Sequence, residues 1–303
     1  MEIKKNLYDS ISREIKKEVF PEALEMTSFL RQKYSQNLMG ILFYGSALRS
    51  NSDKNLILDF YVILETLYPT IKNPILRLFA YLLPPNVYFY QINFKGKKIR
   101  AKVAILTMSD FIRGTSINCF TPSIWARFSQ QTRLTFYDCE KNKILITHAL
   151  SEAIKTFLTN TIKTTHYKSN IDELWLKGLH LTYGSELRPE NKIKINEIIE
   201  NDKERYISIG KLALDELNHI KINHLINKKE NLKWLLRKYW TRLLNILRLI
   251  KASFTFEGGI EYLVWKLEKH KGISIKLSEK QKKYPIITAI NLMLKLKIWD
   301  RSN

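Results

Sequence analysis

One aspartate does most to limit what this chain can fold into. Asp59 stands inside LILDFYVIL, a run that is otherwise apolar. A carboxylate in such a strand is costly to bury unless it is paired or bound to a metal. Upstream, Leu38 to Tyr44 is short, apolar and partly aromatic, and reads as a second strand. It runs straight into Gly45-Ser46, a small-residue turn that lets backbone approach a ligand closely. A polar loop from Arg49 to Asn55 separates the two strands.

The rest of the chain divides by periodicity. Residues 8 to 35 place apolar side chains three and four apart and read as two helices broken at Pro21. Residues 74 to 83 form a short helix stopped by Pro84-Pro85. Asn86 to Phe94 and Lys98 to Thr107 flank the turn Lys95-Gly96-Lys97 and predict a hairpin. Short helices follow at 109 to 114 and 121 to 131, then a last strand at Thr132 to Tyr137. From Leu145 to about Ile226 the pattern is helical, as it is from Asn231 to Ile250 and from Gly259 to His270. The polar run DCEKNK, residues 138 to 143, marks a boundary. The expected organisation is a catalytic domain over 1–140, a helical domain over 141–227 and a basic amphipathic helical region over 228–303.

Composition excludes several classes. With 45% apolar and 26% charged residues the chain has ordinary globular character. Two cysteines, Cys119 and Cys139, offer neither a disulfide framework nor a zinc knuckle. The amino-terminal stretch lacks the apolar core of a signal peptide. The greasiest segment, Pro74 to Tyr90, is broken by Arg77 and two prolines, so no transmembrane helix is expected. A net charge of +21 draws in phosphates on nucleotides, nucleic acid or lipid without choosing among them.

Transfer of a nucleotide from a triphosphate needs a carboxylate to hold metal ions, close backbone contact with the leaving group and cations for the phosphates. Strand, Gly-Ser turn, loop and strand-borne Asp supply these in order, and predict an α+β nucleotidyltransferase fold: a mixed sheet flanked by helices, then an all-helical region. Gly45 and Ser46 would meet phosphate oxygens and Asp59 would bind Mg2+. The usual second carboxylate, two residues on, is replaced by Tyr61. Glu65 shares Asp59's face by alternation, and Asp53 and Asp110 are open candidates. Arg100 and Lys102 share one face of the next strand, within reach of a triphosphate, and Arg127 can clamp a phosphate. None of the six histidines has metal-ligand spacing.

YGSALR, KNLILDF, NVYFYQINFKGKKIRAKVAIL, SDF and WARFSQQTRL, in this order, resemble the mitochondrial-type phosphatidate cytidylyltransferase family and its bacterial relatives. The resemblance covers residues 39 to 137. It implies transfer of CMP from CTP to phosphatidic acid, giving CDP-diacylglycerol. It also implies a single Asp in the Leu-Asp-Phe strand. Carried over position by position, it places Gly45 and Ser46 in the nucleotide loop with Lys54 beside it, Asp59 on magnesium, Arg100 on the third strand and Arg127 in the later basic motif. Glu65 matches an acidic position.

Residues 228 to 303 hold eighteen Lys and Arg against six Asp and Glu, so the positive excess is concentrated there. Leu236, Trp240, Leu243, Leu247 and Ile250 fall on one helical stripe, with Lys233, Arg237, Arg242 and Arg248 elsewhere around it. Such a helix suits the boundary of an anionic membrane surface, and a core-packing helix with a solvated basic face is the alternative. The expected location is cytoplasmic, peripheral on the inner face of the membrane. Rival readings are a nucleotidyltransferase acting on RNA, a small molecule or a protein, and an inactive lipid- or nucleic-acid-binding module.

Overall fold

Side-chain alternation along four buried strands sets the architecture. The computed structural model describes residues 6–50, 57–164, 170–186, 191–218 and 228–255, together with 277, 278, 281 and 288. Helices α1 (Leu7–Glu14) and α2 (Pro21–Lys33) open the chain, the second with proline in its first turn, where no amide is missed. Strand β1 (Leu38–Tyr44) leads into the short helix α3 (Ser46–Ser50). Then come β2 (Leu58–Leu64), α4 (Pro74–Leu82), β3 (Asn86–Phe94) and β4 (Lys97–Thr107). Lys95 and Gly96, both at positive φ, make the two-residue turn between β3 and β4. Helices α5 (Met108–Thr115) and α6 (Trp125–Phe128) precede β5 (Thr132–Tyr137).

The five strands form one mixed sheet in the order β3-β4-β2-β1-β5. All neighbours are antiparallel except β2 and β4, which run parallel with Asp59 beside Lys102. One face carries Ile41, Phe43, Phe60, Val62, Val103 and Ile105 and packs against Ala23, Met26 and Leu30 of α2. The other carries Leu42, Tyr44, Tyr61, Ile63, Ala104 and Leu106. The chain is thus α+β, a mixed sheet flanked by helices and followed by a helical carboxy-terminal region.

That second face is covered by the helical half. Helices α7 (Glu140–Ile162), α8 (Ile171–Tyr183), α9 (Lys192–Glu200) and α10 (Lys203–Asn218) follow β5, and α11 (Lys228–Thr255) comes last. Ile146, Leu150 and Phe157 of α7, Trp175 and Leu179 of α8, Tyr206 of α10 and Trp234 of α11 lie in the same apolar cluster as the sheet residues. The polar run at 138–143 marks the start of α7, yet one core continues across it. The helix expected at Gly259 to His270 lies outside the described residues.

Helix α11 is turned the opposite way from an ordinary surface helix. Its inward face carries Trp234, Arg237, Thr241 and Lys251, with Arg237 1% and Thr241 2% exposed. Its outward face carries Leu232, Leu235, Leu236, Tyr239, Trp240, Leu243, Ile246 and Leu247, with Leu236 57% and Tyr239 61% exposed. Of the expected stripe, Leu236, Trp240, Leu243 and Leu247 therefore face outward, while the Ile250 side chain lies outside the described residues. Among the described residues that stripe is exposed and not packed in the core. The inward cations are met by neutral oxygens and rings. Arg237 donates to the Phe120 carbonyl at 2.6 Å and to Asn160 Oδ1 at 3.1 Å, with its guanidinium 4.5 Å from the Trp234 ring centre. Lys251 donates to the carbonyls of Leu83 and Pro85 and to Asn86 Oδ1, fastening the end of α11 beside the end of α4. Helix α4 likewise turns Ile75, Leu78, Phe79 and Leu82 outward.

A buried ion pair ties the amino terminus to the helical half. Arg205 of α10 donates through Nε and Nη2 to both carboxylate oxygens of Glu14, and through Nη1 to the Ser129 carbonyl at 3.3 Å. Removing one partner strands the other charge in the interior. Arg205→Ala is therefore expected to cost about 3–5 kcal/mol, read as a lower urea midpoint.

Candidate functional site

The turn after β1 sits directly on the Asp59 carboxylate. Gly45 has φ +90°, and a Cβ placed there would lie 2.6 Å from Asp59 Oδ2. Only glycine meets both demands, since an L side chain is strained at this φ and has no space. Asp59 is itself reached by the β1–β2 register, which sets it opposite Tyr44, the residue before the turn. Ser46 follows, exposed, as the first residue of α3.

Three cations from three elements act on Asp59: Lys102 of β4, Arg127 of α6 and Arg49 of α3. Burial pushes its carboxyl above the usual aspartate value, and Lys102, then Arg127 and Arg49, oppose that rise. Lys102 is exposed beside Asp59 in the parallel register. Arg49 donates to Gln130 Oε1 at 3.2 Å. Sequence periodicity offers no signal for Arg49, because α3 is too short to show a face.

Arg127 is held over the sheet by aromatic residues. Its Nη1 donates to the Tyr61 hydroxyl at 3.0 Å and to the Ser123 carbonyl at 3.3 Å, and its guanidinium lies 5.5 Å from the Tyr44 ring centre. Tyr61, two residues from Asp59 on the same face, thus serves as an arginine partner. Glu186, just beyond α8, stands 3.8 Å from Arg127. It is the acidic group that the helical half brings to this neighbourhood, and local sequence pattern gave no reason to choose it. Burial raises the Tyr44 hydroxyl well above its ordinary value, with Arg127 pulling it down and Asp59, Tyr61 and Glu186 adding to the rise.

The other candidates fall elsewhere. Glu65 is exposed one residue past the end of β2, while Asp59 is second in that strand. Six residues of strand span roughly 20 Å, so Glu65 does not join Asp59 as a metal ligand. Arg100 lies two residues before Lys102 on the same face, half-buried, with Nε donating to Gln91 Oε1 at 3.0 Å on β3. Asp110 is absorbed at the start of α5, where it accepts from Thr107 Oγ1 at 2.9 Å and pairs with Arg113. Lys54 and Asp53 lie outside the described residues. Among the described residues no group of three His, Cys, Asp or Glu can hold a metal ion by itself. One carboxylate suffices for magnesium when a nucleotide supplies further oxygens, because that ion is commonly held by one or two carboxylates plus substrate phosphates.

Gly45→Ala is expected to destabilise the protein by about 1–2 kcal/mol from the backbone alone, with the clash against Asp59 added. A denaturant titration beside a Gly96→Ala control separates the two contributions. Gly96 also has positive φ, at 73°, and a Cβ there meets nothing within 4 Å.

No protein-family model matches the chain, and a search of the curated proteins gives no match. Among solved structures, a nucleotidyltransferase-like protein from Exiguobacterium sibiricum aligns over 91% of this chain and 91% of that one, at 11% identity and a TM-score of 0.27. A likeness that distant has no bearing on what this site does.

Proposed function

We propose that this chain is a nucleotidyltransferase that moves CMP from CTP to phosphatidic acid, with Mg2+ as cofactor. The observation that carries the reading is the Gly45 backbone lying on the Asp59 carboxylate, with Lys102, Arg127 and Arg49 acting on it. A carboxylate open to one metal ion, a close-approach turn and converging cations are the parts that transfer from a triphosphate requires. The motif resemblance over residues 39 to 137 supports CTP and phosphatidate in particular. Bound magnesium would supply charge neutralisation of the triphosphate, with Asp59 as its protein ligand.

The acceptor phosphate oxygen attacks the α-phosphorus, a P–O bond forms, the bond to the β-phosphate bridging oxygen breaks, and pyrophosphate carries away the electron pair. Gly45 and Ser46 are proposed to steady the leaving group through their backbone amides. Lys102 and Arg127 offset charge as it develops. Lys54 and Arg100 are proposed to contact the nucleotide at the margin of the site.

The acceptor is proposed to be reached at an anionic membrane surface, peripherally and on the cytoplasmic side. No helix among the described residues is long and apolar enough to cross a bilayer. The outward apolar faces of α4 and α11, with Tyr239 and Trp240 among them, suit the headgroup boundary. That orientation favours lipid over RNA, because nucleic acid binds exposed cations and α11 turns Arg237 and Lys251 inward.

Asp59→Asn is expected to abolish CTP-dependent conversion of phosphatidate, measured as lipid-soluble labelled nucleotide. The carboxyl is raised in the folded state, so above its pKa the ionised group lowers stability, and that cost disappears below the unfolded value. The Asn variant should therefore melt no lower than wild type at pH 7. In wild type, kcat/KM should fall on the acid side at a pH above the ordinary aspartate value of about 3.9. Retained turnover in Asp59→Asn overturns the assignment.

Trp240→Glu should lower sedimentation with phosphatidylglycerol vesicles by about tenfold, because a charge on an interfacial face opposes insertion. The exposed position leaves the melting temperature unchanged. Equal vesicle binding by the variant rejects α11 as the contact.

A further inference from the structure

Two arginines from α6 and α11 converge on Ser123. Arg127 Nη1 donates to its carbonyl at 3.3 Å, and Arg248 Nη1 of α11 donates to its hydroxyl at 3.3 Å. Arg248 also donates to Asn245 Oδ1 at 2.9 Å, yet its Nε is buried with no hydrogen-bond partner. The groups acting on Arg248 electrostatically are Tyr61, Arg127 and Cys119, none of them a carboxylate. Arg127 has Glu186 at 3.8 Å, beyond hydrogen-bond distance. The two half-buried guanidinium groups share Ser123, and Glu186 is paired with Arg127 while no carboxylate acts on Arg248, so an anion between them would offset their repulsion.

We propose that Arg127 and Arg248 together form the binding site for the phosphate of the acceptor substrate, a step that rests on the transfer reading above. Guanidinium forks match phosphate oxygens bidentately, and the Arg248 Nε–H supplies an unused donor. The order of groups places the two phosphates apart. Arg127 donates to the Tyr61 hydroxyl, two residues along β2 from Asp59, and to Ser123, which also accepts from Arg248, so Arg127 stands between the Asp59 side and the Arg248 side. A nucleotide at Asp59 and an acceptor phosphate at Arg248 would then share Arg127, which brings nucleophile and α-phosphorus together. Arg248 belongs to the inward face of α11, whose outward face is apolar. One helix thus offers a phosphate contact and an apolar surface to a single amphiphilic molecule.

The test is calorimetric binding to the full-length protein without nucleotide, using inorganic phosphate and dioctanoyl phosphatidate below its micelle concentration. Both should bind wild type. Arg248→Gln should weaken both by at least about tenfold, as loss of hydrogen bonds to a charged group predicts, while CTP binding with magnesium stays within about twofold. Arg248→Lys, which keeps the charge and loses the fork, should fall between, and a melting curve for each variant checks the fold. Tighter binding of phosphatidate than of phosphate supports a lipid acceptor, and equal binding supports a soluble phosphorylated one at the same arginines. Unchanged phosphate and phosphatidate binding in Arg248→Gln overturns the proposal, as does a loss confined to CTP. Phosphate binding that depends on Arg248 in a protein inactive with CTP removes the cytidylyl reading and leaves the anion site standing.

Discussion

The contact between the Gly45 backbone and the Asp59 carboxylate is the constraint around which the sheet end is organised. A carboxylate in an apolar strand needs either water or cations, and here the Gly45 turn closes one side of it. The compensating charge comes from Lys102, Arg127 and Arg49, each on a different element. Those elements must be held in register for the cations to oppose the rise that burial imposes on the carboxyl. The parallel pairing of β2 with β4 sets Lys102, and the packing of α6 under Tyr44 and Tyr61 sets Arg127. Fold and site therefore share the same contacts.

Features encoded locally were legible in the sequence. Strand β1 ends where the Gly-Ser pair begins, the β3–β4 hairpin closes on Lys95 and Gly96, and Pro21 starts a helix, because each depends on nearest neighbours. Alternation put Asp59 and Tyr61 on one face of β2, and Arg100 and Lys102 on one face of β4, while the register between the strands set Lys102 beside Asp59. It also set Glu65 on the Asp59 face, although six residues of strand put it roughly 20 Å from Asp59. Arg49, Glu186 and Arg248 were invisible as a set because only tertiary packing brings α3, the end of α8 and α11 together.

Helix α11 shows a different limit. Periodicity tells which residues share a face, and it is silent about which way that face turns. The usual rule buries the apolar stripe, and by that rule Leu236 and Trp240 would be core while Arg237 would be solvated. The arrangement is reversed because Arg237 finds carbonyl, amide and aromatic partners, and Lys251 finds three oxygens at the end of α4. Apart from Trp234, those partners lie 77 to 168 positions away, which no local window contains.

The apolar cluster that passes without a break from the sheet to α11 bears on how the protein can be taken apart. Leu42, Tyr61 and Leu106 are covered by α7 and its neighbours, so a fragment ending near residue 140 would present one whole side of its sheet to water. Such a fragment has no reason to be an autonomous enzyme. The stretch over residues 39 to 137 and the helices after it share one apolar core, so a cavity opened deep in the helical half loosens the sheet that carries the Gly45 turn.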